Sequence, residues 1–318
     1  MKIIVRISPP LSLSKKIRMR FADLMESDRI VIFNLEASDE RFKEYLEIST
    51  SAKEGTWFNP RMEFTESELD RCDYFRPVCR GPVFKESDAD YKQTTKYYES
   101  LSPVEPTPGH RVKLFDRLWV KARKLRGDTI AGAKEWLGEY IFPREVADIF
   151  DKSDLQGYEW KEVVDRKAKK PFAHLRLLYT NRFMPKAQIV VHPPKPTPFA
   201  ARMGETMRRV GLTSEQVESV SQKVESEDRR ERLYGCVCYK TLPQVGSSGF
   251  FRTIELWGGA WSPLWVVSRK VHEVYREHRM RGWVFRPILE EDSELFQTHK
   301  ELWEQFFHAI RVNPANYV

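Results

Sequence analysis

Cysteine is scarce, at four in 318 residues. Cys72, Cys79, Cys236 and Cys238 do not make the disulfide framework that staples small secreted domains. No apolar run approaches the roughly 18 residues that span a bilayer. The opening Met1-Lys2-Ile3-Ile4-Val5-Arg6 holds too short an apolar stretch for a secretory signal. These features predict a cytoplasmic protein with no membrane association. Catalytic signatures are missing too. There is no G-x-S-x-G elbow, and His110, His174, His192, His272, His278, His299 and His308 form no H-E-x-x-H arrangement. Gly258-Gly259 lacks the Lys-Ser/Thr pair of a phosphate-binding loop and reads as a turn. Tetrahedral zinc is usually held by cysteine pairs two to four residues apart, because a tight knuckle aims both sulfurs at one ion. Neither cysteine pair has that spacing, so free, mostly buried thiols are expected, with no cofactor or metal. The expectation is a protein that is not an enzyme. The enzyme alternative requires acids or histidines that converge only in the fold.

What is plentiful is core-forming material and positive charge. Apolar residues make up 41% of the chain, with 19 Phe, 12 Tyr and 9 Trp, which excludes disorder as its general state. The net charge is +7, which suits an acidic partner, whether protein or nucleic acid. The spacing of Leu114, Phe115, Leu118, Ala122 and Leu125 predicts an amphipathic helix over 111–126. Lys113, Arg117, Lys121 and Lys124 line another face of it. That stripe is the candidate contact for an acidic partner. Together with the run 166–170 it carries an alternative reading, a nucleic-acid-associated protein. Residues 203–223 have the apolar spacing of a helix-turn-helix, but Glu215 and Glu218 in its second helix would repel phosphate.

The most informative pattern is a repeat. Residues 136–164 and 261–289 align without a gap, with Trp136, Arg144, Val146 and Gly157 matching Trp261, Arg269, Val271 and Gly282. Each copy reads strand, helix, glycine turn, strand. Pro143 suits the first helical position in one copy and Ser268 the N-cap in the other. Val146, Ile149 and Phe150, like Val271, Val274 and Tyr275, share one helix face. Tyr158–Val163 alternates as an edge-like strand. Polar positions diverge, for example Glu145 against Lys270, Ala147 against His272 and Asp151 against Arg276. The repeat therefore predicts architecture, with function on the surfaces where the copies differ. Alternating short strands and helices without a Gly-rich strand–helix turn predict an α+β fold, two strand–helix–strand units within mixed short sheets flanked by helices. The breaker-rich stretch 102–109 places a boundary between an N-terminal α+β region, 1–105, and a region, 106–318, that holds both copies. A Pro-rich connector falls near 185–198.

The segment Trp265-Val266-Val267-Ser268-Arg269-Lys270-Val271, followed by Gly282-Trp283-Val284-Phe285-Arg286-Pro287-Ile288, resembles the closing segment of bacterial polymorphic-toxin immunity proteins of the double-CXXCG type. The two C-x-x-C-G motifs of that family are missing, which removes its metal site from the expectation. The resemblance implies a binding protein that occludes a cognate toxin and carries no catalytic residues.

Overall fold

The computed structural model describes residues 1–25, 31–50, 56–84, 117–120, 125, 127–133, 139–165, 167–185, 187–188, 236–246, 249–257 and 262–311. They form an α+β structure of several mixed sheets flanked by helices. The chain divides into two units, Met1–Arg71 with Asp292–Val318, and Cys72–Glu291. Among the described residues no helix is long and apolar enough to cross a membrane.

The first unit is built on a three-stranded antiparallel sheet. β1 (Lys2–Ser8) lies between β2 (Phe33–Glu36) and β3 (Trp57–Glu63). Ile3, Val5 and Ile7 alternate into the core, as the two-residue period of a strand requires. α1 (Ser14–Arg20) supplies the buried Ile17. α2 (Glu40–Ser49) starts where the Asp39 side chain accepts from the Arg41 N–H at 2.8 Å. α3 (Glu66–Leu69) starts at a reciprocal capping box between Thr65 and Glu68. The last helix, α6 (Glu294–Ala309), is capped by Ser293. It buries Leu295, Phe296, Trp303, Phe306 and Phe307, and Phe306 stacks on Phe42 at 6.0 Å.

The described residues of the second unit form two sheets. One runs β6 (Arg117–Val120), β9 (Glu159–Asp165), β11 (Leu175–Tyr179), β8 (Tyr140–Pro143), β7 (Ala131–Ala133) and β5 (Val83–Phe84), with the short β10 (Lys170–Pro171) also on β9. The other runs β12 (Val237–Tyr239), β15 (Trp283–Glu290), β4 (Tyr74–Cys79), β14 (Ser262–Ser268) and β13 (Phe250–Trp257). Both expected units are present: β8, α4 (Arg144–Lys152) and β9 in the first copy, β14, α5 (Arg269–Glu277) and β15 in the second. In neither copy do the two strands of the unit pair with each other. A third strand, antiparallel to both, lies between them: β11 in the first sheet and β4 in the second.

Three expectations change. The helix over 111–126 gives way at 117–120 to strand β6, which pairs in parallel with β9. Leu118 and Val120 are both fully buried, in a cluster with Phe84, Ile141, Val163, Leu175 and Leu177. Two-residue alternation against that core overrides the helical spacing. For the same reason β9 is not an edge strand, being flanked by β6 and β11. The division of the chain falls at Arg71 and at Glu291 rather than near 105, because β4 and β5 belong to the sheets of the second unit and α6 packs with the first. The breaker-rich stretch 102–109, residues 189–198 of the Pro-rich connector and the helix-turn-helix-like segment 203–223 lie outside the described residues.

Candidate functional site

Of the basic stripe, Lys113, Lys121 and Lys124 lie outside the described residues, and Arg117 is described only as backbone of β6. Arg117 thus sits on a strand. All four cysteines are free, with Cys72, Cys236 and Cys238 buried and Cys79 half-buried. Burial pushes the Cys79 and Cys238 thiols up, away from the reactive thiolate form. His272 is buried between Phe75 and Phe285, each ring 4.7 Å away, so it packs as part of the α5 face.

The divergent surface of the repeat points elsewhere. Both repeat helices end in the same way. Asp154 and Arg279 take left-handed conformations, φ 50° and 49°, and the glycines Gly157 and Gly282 follow with φ 79° and 103°. Each turn abuts the opposite sheet. Phe250 N–H donates to Gln156 O at 3.0 Å, and Ile130 N–H donates to Arg281 O at 2.7 Å. A Cβ on Gly157 would lie 2.8 Å from Phe250 O, and one on Gly282 would lie 2.0 Å from Ile130 O. Only glycine fits either place.

Around these matched turns the side chains differ. On the second copy, Trp283 and Phe285 are buried, and the Tyr275 hydroxyl is tied to the backbone of Trp283, accepting from its N–H and donating to its carbonyl, both at 3.0 Å. Gly81 covers that turn. On the first copy, the matching Tyr158 and Trp160 are half-buried, with rings 5.2 Å apart. The Tyr158 hydroxyl and the Trp160 indole N–H both donate to Asp151 Oδ1 at 2.8 Å. Burial, and then the bond to Asp151, push the Tyr158 phenol well above its usual value, so it stays a donor. In the place of Gly81 stands Arg182, whose Cδ lies 2.6 Å from where a Gly157 Cβ would be. The Arg182 guanidinium is exposed and stacks over Phe251 at 4.7 Å. The result is a platform in which Asp151 holds the Tyr158 and Trp160 rings, with the Arg182 side chain beside the Gly157 turn. Such a platform binds by stacking and by guanidinium hydrogen bonds to an acceptor. Sequence reasoning noted Tyr158, Trp160 and the Asp151/Arg276 divergence but missed Arg182, which lies outside the aligned segment.

Beneath lies a second polar group. Arg252 Nη2 donates to both Glu139 oxygens, at 2.7 and 2.8 Å, with the two side chains 4% and 7% exposed. The guanidinium stacks on Trp265 at 4.2 Å. Burial pushes the Glu139 carboxyl up, and the charge of Arg252 opposes that shift. The pair is closed off from solvent and acts as a fixed strut between β13 and the residue leading into β8.

No family model and no curated protein matches the chain.

Proposed function

We propose that the protein is a non-catalytic binding protein of the toxin-immunity kind, which acts in the cytoplasm by holding and occluding a partner protein. The observation that carries this reading is the asymmetry of the two matched turns. One is filled by buried Trp283 and Phe285 under Gly81, and the other leaves Tyr158 and Trp160 half-buried beside an exposed Arg182. Tyr, Trp and Arg are the residues that dominate binding energy at protein interfaces, and pre-fixed side chains lose little entropy on docking. The resemblance of the 265–288 segment to immunity proteins supports the same class.

The test is co-purification with the product of an adjacent gene, together with protection of cells from its toxicity. Arg182→Ala is expected to weaken the complex by at least tenfold while costing no more than about 1 kcal/mol of stability, the contribution of its stacking on Phe251. Absence of both complex and protection with every neighbouring gene product overturns the proposal.

A further inference from the structure

The two sheets of the second unit match far beyond the repeat visible in the sequence. β7 pairs Ala131 with Ile141, and β13 pairs Phe251 with Val266, the counterpart of Ile141. β6 pairs Leu118 with Val163 in parallel, and β12 pairs Val237 in parallel with Ile288, the counterpart of Val163. The inserted middle strands also agree residue by residue. Leu175 faces Pro143 and Leu178 faces Trp160, while Tyr74 faces Ser268 and Pro77 faces Phe285. Beyond those strands the chain crosses over in both cases. Val83 then bridges Gly132 of the first sheet in parallel, and Phe183 bridges Arg252 of the second.

The cores agree as well. Phe84, Leu118, Val120, Ala131, Ile141, Val163 and Leu175 in one cluster occupy the places of Met184, Val237, Tyr239, Phe251, Val266, Ile288 and Tyr74 in the other. In chain order the matched strands run identically twice, from β4 to β9 and from β11 to β15. In space the first strand of each series sits in the sheet of the other. The two latches, Gln156 to Phe250 and Arg281 to Ile130, obey the same exchange.

We infer that Cys72–Glu291 is a fused pair: two tandem repeats, 74–165 and 175–290, that bind each other by reciprocal exchange of their first strands. The surface around each middle strand is thus an interaction site whose partner is a second repeat of the same kind. Removing β4 would leave β14 and β15 about 10 Å apart, two strand spacings, with unpaired backbone groups along both edges. Removing β11 would do the same to β8 and β9. Such a pair forms as a two-fold dimer of single repeats, in which isologous contacts come in twos, as the latches do. Fusion then frees the halves to diverge, which is how Arg182 and Gly81 come to occupy matched places. The inference rests on strand register and is independent of the partner-binding role.

The experiment uses the full chain with protease sites in the exposed Lys167–Lys169 turn and at Asp292, cut after folding. The 168–291 fragment is expected to co-elute one-to-one with the 1–167 fragment and to separate only in denaturant. Elution of 168–291 alone as a folded monomer overturns the inference. On the uncut chain, amide hydrogen exchange gives a second readout. β4 should exchange as slowly as β14 and β15 and more slowly than β13, and a β4 that exchanges as fast as β13 overturns the inference as well.

Discussion

Lowering the pH should destabilise the first unit through a single buried imidazole. His299 on α6 is fully buried, stacked against Phe64 at 6.0 Å, and accepts a hydrogen bond at Nε2 from the Trp303 indole N–H at 3.3 Å. An indole only donates, so the proton of the neutral ring is assigned to Nδ1. Burial penalises the imidazolium and lowers the pKa of His299 from 6.5 to about 3. The unfolded chain therefore takes up this proton first as the pH falls. The native state keeps its full advantage above pH 6.5 and loses it progressively down to about 3. At pH 5.0, about 1.5 units below the unfolded value, the loss from this one group is about 2 kcal/mol. Urea denaturation at pH 7 and pH 5, with wild type beside His299→Gln, separates the effect of this imidazole from that of other titrating groups. The Gln oxygen still accepts from Trp303 but cannot take a proton. Wild type should lose about 2 kcal/mol more than the variant between the two pH values. An equal loss in both proteins, or a native imidazole that titrates near 6.5 by NMR, would refute the argument.

Four further substitutions test the packing of the second unit. Gly282→Ala sets a methyl 2.0 Å from Ile130 O at φ 103°; thermal denaturation should show a loss of about 3 kcal/mol or more. Gly157→Ala meets the movable Arg182 Cδ first and should cost less by the same measurement. Glu139→Gln leaves Arg252 charged and buried without its counter-ion; chemical denaturation should show a loss of about 3–5 kcal/mol, partly recovered in the Glu139→Leu/Arg252→Met double variant. Tyr158→Phe removes one of the two hydrogen bonds to Asp151; it should cost about 1 kcal/mol of stability and broaden the Trp160 indole signal by NMR.

The repeat was legible because the positions it keeps obey packing and backbone rules. Val146 and Val271 face cores, and Gly157 and Gly282 occupy turns that exclude a Cβ. The strand exchange was not legible. β4 reads Tyr-Phe-Arg-Pro-Val-Cys and β11 reads Leu-Arg-Leu-Leu-Tyr, and their equivalence rests on backbone register alone. The region around Leu118 fits both a helical and an alternating template, and four residues are too few to choose between them. A breaker-rich stretch marks the end of an element and says nothing of which core its neighbours join. Nothing local to α6 reveals that Phe306 stacks on Phe42. Arg182 was missed because its importance comes from the glycine beneath it, across the sheet, and not from its neighbours in sequence.

The stacking of Phe306 on Phe42 has a consequence for synthesis. Of the two units, the one begun earlier is completed later, since its core waits for residues made after the whole of Cys72–Glu291. Until then α1 and α2 cover only part of the apolar face of β1, β2 and β3, and closing their core joins residues more than 200 positions apart, the kind of distant contact that slows folding. The nascent chain thus passes through a stage in which the core around β1 is still incomplete, and loss of α6 would strike a sheet made more than 200 residues before it.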